Sequence, residues 1–371
     1  MTQTTLMQAS HQWSTRPSDE RFVSLTDLDA HCQNIKSRSK AMTLDTKSIK
    51  AAPVDGDING LVLMGPSGAA VAPTHWAFGQ LAQRAGAPAG YIRDLPAPLA
   101  ADCINYGLTT RSVEDIGVLL YKNGGPAEIK AVTGPDYGRI WNASITRALV
   151  QRFGDGLTGA FKVPGEFGKR VVVTRDNTTL YASDRDMFVF LADEEHRIEI
   201  PNRRDGQTGS LSRGFFVWNS EVGKCKFGIA TFLFDYVCCN RIVWGAQGYE
   251  EITIRHTSRA PERWVDQALP ALQDYANSST AGVKTAIEHA MGAKIGNAET
   301  REQDVATFLA ARFSRSQVSA IKAAHMNDEG RPIETLWDAA TGVTAYARSI
   351  PYQDERVQLE REGGKILKLA E

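Results

Sequence analysis

The sequence predicts an α+β protein with a central, mainly antiparallel sheet, N-terminal helices and an all-helical C-terminal part. Two observations carry this. Short runs of β-branched and aromatic residues, separated by turn residues, recur between positions 115 and 256. From Pro261 the period changes, and Trp264, Ala268, Leu269, Leu272 and Tyr275 recur at helical spacing. The chain divides accordingly into a helical and strand lead-in (1–110), a β-rich core with one hairpin-packed helix (111–258) and a helical region (259–371). A hydrophobic content of 42% and a charged content of 23% over 371 residues place it with globular proteins and exclude a disordered or fibrous class.

Taken in order, Ser24 to Asp27 open a helix with Leu28, Cys32 and Ile35 on one face, and Arg38 and Lys40 of the basic stretch 37–40 suit its C-terminal dipole. Residues 41–72 read as strand and turn, with 61–64 the clearest strand and Gly65-Pro66-Ser67-Gly68 a turn; the glycines resemble a phosphate loop, but the second spacing and the lysine are missing. A helix begins at Pro73-Thr74-His75 and runs through Ala85, and 89–108 reads as a second helix interrupted at Pro96 and Pro98. Residues 115–121 and 127–132 flank an Asn-Gly-Gly signal and form the best hairpin, followed by a helix over 140–153.

Strands follow at 170–174, 179–183, 187–192, 197–200, 214–219 and 226–236, with the polar step Asn219-Ser220-Glu221-Val222-Gly223 as the connection between the last two. The side chains of Asn219, Ser220 and Glu221 are suited to capping that turn by bonds to the backbone. An apolar run over 237–244 then crosses Cys238, Cys239 and Arg241. Helices are expected near 279–292, 300–313, 315–327, 333–348 and 353–362.

A net charge of −1 and a pI near 6.7 give no global basic field, so binding to nucleic acid requires a local patch. Residues 201–264 supply one: nine Lys or Arg against six Asp or Glu, interleaved with aromatics. Single strands are held by cations on phosphates and by rings under bases. On this pattern Arg203, Arg204, Arg213, Lys224, Lys226, Arg241 and Arg255 are the candidate phosphate contacts, and Phe216, Trp218 and Trp244 the candidate stacking platforms. A solvated sheet face has the same composition, and Arg241 either pairs with a carboxylate such as Asp235 or faces a phosphate groove.

Enzymatic readings have less to stand on. Asp184 and Asp186 share a face if their segment is extended, and with Glu194 and Glu195 would suit a magnesium-dependent nucleic-acid enzyme; the alternative is a turn whose carboxylates pair with Arg185 and Arg197. No nucleophile elbow accompanies Ser220 or Cys238, and the five cysteines and seven histidines show no zinc spacing, so no cofactor is expected. The polar N-terminus and the lack of a long apolar run predict a soluble, cytoplasmic protein with no membrane partner.

Several segments carry a family resemblance: W-x-x-RP-x-DERF-x-SL from Trp13 to Leu25, SDRDMFVFLAD over 183–193, GFFVWNSEVG with VCCNRIVWG, and LWDAATGVTAYARSIPYQDERVQLE over 336–360. Over nearly its whole length the chain resembles the phage- and plasmid-borne proteins built on the domain of unknown function numbered 932. The resemblance implies a gene of mobile elements and a role in handling DNA, by analogy with phage single-strand annealing recombinases. The expectation is a non-enzymatic single-stranded DNA binding or annealing protein in recombination, acting as a homo-oligomer. The alternatives are the metal-dependent enzyme and a factor that counters host defence by binding a host protein through the helical half.

Overall fold

The computed structural model describes residues 17–122, 124–164, 172–200, 209–235, 241–242, 251–350 and 353–370. Strand β1 (Arg21–Phe22) leads into helix α1 (Leu25–Ser37), where the Ser24 hydroxyl accepts the Asp27 amide as N-cap. Strands β2 (Ser39–Asp45), β3 (Lys50–Val54), β4 (Asp57–Met64) and β5 (Ala70–Pro73) follow. Helices α2 (His75–Ala85), α3 (Ala89–Arg93) and α4 (Ala97–Thr110) come next. The single helix expected over 89–108 is therefore two, because Pro96 has no amide hydrogen and disfavours helical geometry at Leu95.

The predicted hairpin is strands β6 (Asp115–Lys122) and β7 (Ala127–Thr133). It joins a six-stranded sheet of order β2-β6-β7-β5-β4-β3, antiparallel except between β5 and β7. The hairpin thus belongs with the N-terminal strands, and position 110 falls inside this unit. Ile116, Val118, Ile129 and Val132 pack against Leu81 of α2 and Ile104 and Leu108 of α4.

After α5 (Asn142–Phe153), the remaining strands are β8 (Phe161–Lys162), β9 (Leu180–Ala182), β10 (Met187–Asp193), β11 (Ile198–Ile200), β12 (Gly209–Asn219), β13 (Phe227–Asp235), β14 (Arg241–Ile242) and β15 (Glu251–Ile254). They form, with β1, a nine-stranded antiparallel sheet of order β1-β9-β10-β12-β13-β14, with β8, β11 and β15 beside β10, β12 and β13. Residues 172–174 form no strand. Asn177 closes this segment as a turn, accepting the Thr174 amide at 2.7 Å and donating to the Val172 carbonyl at 3.0 Å.

Side-chain alternation gives the large sheet two apolar faces. Val189, Leu191, Phe215, Val217 and Ile229 face α1, α5 and the helices that follow β15. Phe188, Phe190, Phe216, Trp218 and Phe232 form an aromatic cluster on the other face.

The C-terminal part is helical, as expected: α6 (Ala260–Arg263), α7 (Leu269–Asn277), α8 (Ala281–Gly292), α9 (Arg301–Ala310), α10 (Arg315–Glu329), α11 (Leu336–Arg348) and α12 (Gln353–Leu367). Between α6 and α7 the Leu269 amide donates to the Trp264 carbonyl, a π turn. It accommodates Pro270, which has no hydrogen to offer the preceding turn. Val283, Ile287, Leu309, Ile321 and Val343 pack onto Ile198, Ile200, Leu211 and Leu233, so the helical half covers one end of the sheet. Within it the buried Asp338 carboxylate accepts both Arg331 amino groups, at 2.8 and 2.6 Å, and caps α11. Burial favours its neutral form, but Arg331 and the Glu334 amide outweigh this and hold the carboxyl below its ordinary range. No helix among the described residues is long and apolar enough to cross a membrane.

Candidate nucleic-acid interface

The step Asn219 to Gly223, between β12 and β13, is the joint between the two sheets. Ser220 does cap its own turn, accepting the Val222 and Lys224 amides at 3.3 and 2.9 Å. Its neighbours reach outward instead. Asn219 donates to the Ile140 carbonyl and to Asn142 Oδ1 at 2.8 and 2.7 Å, and Glu221 Oε1 accepts the Asn142 amide at 2.7 Å. From helix α2, which packs on the smaller sheet, Trp76 Nε1 and Gln80 Nε2 both donate to the Val222 carbonyl, at 2.9 and 2.8 Å. Gly223 completes the turn at φ 83°, a conformation that L side chains rarely adopt.

Beside this joint lies a cleft of about 440 Å³ between the 134–137 loop, the 223–226 turn and the 255–257 segment after β15. Lys224, Lys226 and Arg255 line it, with Asp136 as the single carboxylate among the described residues there. Lys226 and Arg255 are exposed and Lys224 is half-buried. The wall between them is Tyr137 stacked on His256, with ring centroids 4.8 Å apart. Tyr137 donates its hydroxyl to the Ser220 carbonyl at 2.7 Å, and His256 Nδ1 meets the Gly138 carbonyl at 3.0 Å. The segments approach this closely because residue 138 is glycine: a Cβ there would lie 1.9 Å from the Thr257 carbonyl oxygen.

The cleft sorts the residues singled out in the sequence. Lys224, Lys226 and Arg255 converge on it. Arg203, Arg204, Trp244 and the side chain of Arg241 lie outside the described residues. Three candidates are corrected by burial. Arg213 is 3% exposed, and its Nε meets Asp193 Oδ2 at 3.1 Å. Its terminal nitrogens donate to the Tyr275, Ala276 and Ser278 carbonyls at the end of α7, so it staples a helix and reaches no phosphate. Phe216 and Trp218, each 2% exposed, belong to the aromatic cluster and are closed to a base.

Asp184 and Asp186 sit on a tight turn between β9 and β10, not on an extended segment. The Ser183 amide donates to the Asp186 carbonyl at 2.8 Å, Asp184 pairs with Arg185 at 3.7 Å, and Asp186 accepts the Ser183 hydroxyl at 2.9 Å. Among the described residues no group of three or more His, Cys, Asp or Glu side chains is placed to hold a metal ion. Cys238 lies outside the described residues. Asp136, Tyr137 and the stacked His256 were not legible as wall residues, because the 134–137 turn signal gives no hint that residues 255–257 lie across from it.

Titration in and around the joint is set by burial. Burial lowers the His256 pKa, with Arg139 adding to it and the bond to Gly138 opposing; burial and then Lys130 lower that of His31. Both imidazoles are therefore neutral in the fold at neutral pH, and the cleft's positive charge rests on its Lys and Arg residues. Such a histidine contributes stability that is complete above its unfolded value of about 6.5 and is lost as pH falls toward the folded value. Glu221 has the opposite sign. Burial raises its pKa against the Asn142 amide and the charges of Lys130, Arg139 and Lys36, so acidification relieves a cost. The histidine contribution is therefore read as a difference. Between about pH 7 and about pH 5.5 the fall in Tm is expected to be shallower in His256→Asn than in the parent. Equal slopes would mean that His256 titrates as in the unfolded chain.

No family model, curated protein or solved structure matches the chain.

Proposed function

We propose that the protein binds single-stranded nucleic acid through this cleft without catalysing a reaction on it, as the resemblance to mobile-element proteins implies, and that it acts on DNA as a homo-oligomer in strand annealing. One observation carries the reading: Lys224, Lys226 and Arg255, picked out in the sequence as cations interleaved with aromatics, converge on one open cleft. Cations spaced along a groove hold the backbone and leave the bases free to pair, which is what annealing requires and for which no general base is needed. The rest of the chain has no excess of positive charge, so a local cluster has to carry any such contact.

The test is fluorescence anisotropy of a labelled single-stranded oligonucleotide at a series of salt concentrations, with duplex as competitor. The parent is expected to prefer the single strand and to weaken as salt rises. Each phosphate contact contributes about 0.7 to the slope of log affinity against log salt for single strands, so replacing Lys224, Lys226 and Arg255 by alanine should flatten that slope by about 2. A parent that binds no single strand at low salt, or a triple variant with an unchanged slope, would remove the cleft from this role.

A further inference from the structure

We infer that Trp76 and Trp141 are the base-stacking platforms for a single strand held by the cleft, covered in the free protein by cations that move to phosphates when a base arrives. The inference rests on the nucleic-acid reading above and adds which rings meet the bases. Phe216 and Trp218, the described rings expected in that role, are closed inside the sheet's aromatic cluster. Trp76 and Trp141 are only half-buried and share one apolar floor of Leu119, Ala131 and Val222. The Trp76 indole is fixed from below, since its nitrogen donates to the Val222 carbonyl at 2.9 Å.

Among the described residues two cations lie over each ring. Lys224 Nζ lies 5.2 Å and Arg185 Cζ 6.0 Å from the Trp76 ring centre. Lys36 Nζ and Arg139 Cζ lie 5.7 and 5.6 Å from that of Trp141. The patch is continuous with the cleft at two points. Lys224 lines the cleft and covers Trp76, and Arg139 packs over both Trp141 and the cleft wall residue Tyr137, 5.5 Å from its centre.

A cation over a solvated ring contributes only about two- to fivefold to an equilibrium. A base stacked on a ring contributes about five- to 150-fold. Two cations together contribute about as much as a weakly stacked base, so the exchange favours the base because the displaced Lys and Arg groups gain its phosphates in return. Charge first draws the strand into the cleft, and the rings then discriminate a strand with bases from a bare polyanion.

The experiment compares the full chain with Trp76→Leu and Trp141→Leu, which keep an apolar group on the floor and remove the ring. The probes are a labelled oligo-dT of about 15 nucleotides and an abasic oligonucleotide of equal length. Each substitution is expected to lower oligo-dT affinity by about tenfold and to leave abasic affinity within about twofold. If the parent binds oligo-dT and the leucine variants bind it equally well, or lose both probes alike, this inference is overturned and the proposed function stands. A parent that binds neither probe overturns both. Should a leucine variant fail to fold, tryptophan emission decides with Trp76→Phe and Trp141→Phe: quenching by oligo-dT that falls in each supports the platforms, and undiminished quenching overturns them.

Discussion

Arg213→Ala is expected to destabilise the protein by about 3–5 kcal/mol, the cost of leaving a buried partner charge uncompensated. The guanidinium satisfies a larger set of groups than an ion pair. Its Nε meets Asp193, which is fully buried and also accepts the Glu195 and His196 amides. The other nitrogens reach the end of α7 and donate to the Tyr275, Ala276 and Ser278 carbonyls at 3.1, 3.2 and 2.6 Å. The plane lies between two rings, 5.6 Å from the centres of both Phe161 and Tyr275. Deletion exposes all of these at once: a carboxylate, three carbonyls and two ring faces. Urea unfolding measures the loss. Arg213→Met with Asp193→Leu should recover part of it, since an apolar pair removes the stranded charge but does not replace the bonds to the helix end. A fall below about 1 kcal/mol, typical of an exposed pair, would contradict the buried staple.

Gly228→Ala is expected to cost about 1–3 kcal/mol despite alanine's better strand propensity, because the added methyl has no room. Gly228 lies directly opposite Trp218 in the β12–β13 pairing, and a Cβ there would sit 2.0 Å from the indole ring. The same device recurs farther along the pair, where Gly214 faces Phe232 and a Cβ would sit 2.3 Å from that ring. Each glycine makes the space into which an aromatic from the next strand lies down. Near-UV circular dichroism and urea unfolding of Gly228→Ala would report both the displaced Trp218 and the lost stability. A variant as stable as its parent would show that the indole can leave its place over the glycine freely.

These two residues mark where reading a sequence stops. What was legible depended on groups a few residues apart. Ser24 and Thr74 cap helices through amides three positions on, the Asn-Gly-Gly step turns a hairpin, and helical spacing beyond Pro261 describes the C-terminal half to within a few residues. These are local contacts, and their chemistry is written in adjacent letters. The 172–174 segment failed for the same kind of reason in reverse, since one asparagine side chain closed it as a turn.

The candidate site was half legible. Lys224, Lys226 and Arg255, picked out in the sequence as candidate phosphate contacts, line one cleft, whereas Arg213, picked out on the same grounds, lies in the core. Strand alternation says that neighbouring side chains face opposite ways; it does not say which face another layer will cover. Trp218 and Trp76 show the same limit, the first closed over a glycine and the second left half-open on a floor built by both sheets. Composition and local pattern determined the elements, the fold class and the charged stretch. Only the packing of α7 against Arg213, of the 219–223 turn against Trp76 and Gln80, and of the 134–137 loop against residues 255–257 decided which charges are staples and which face solvent, because burial depends on contacts between residues far apart in the chain.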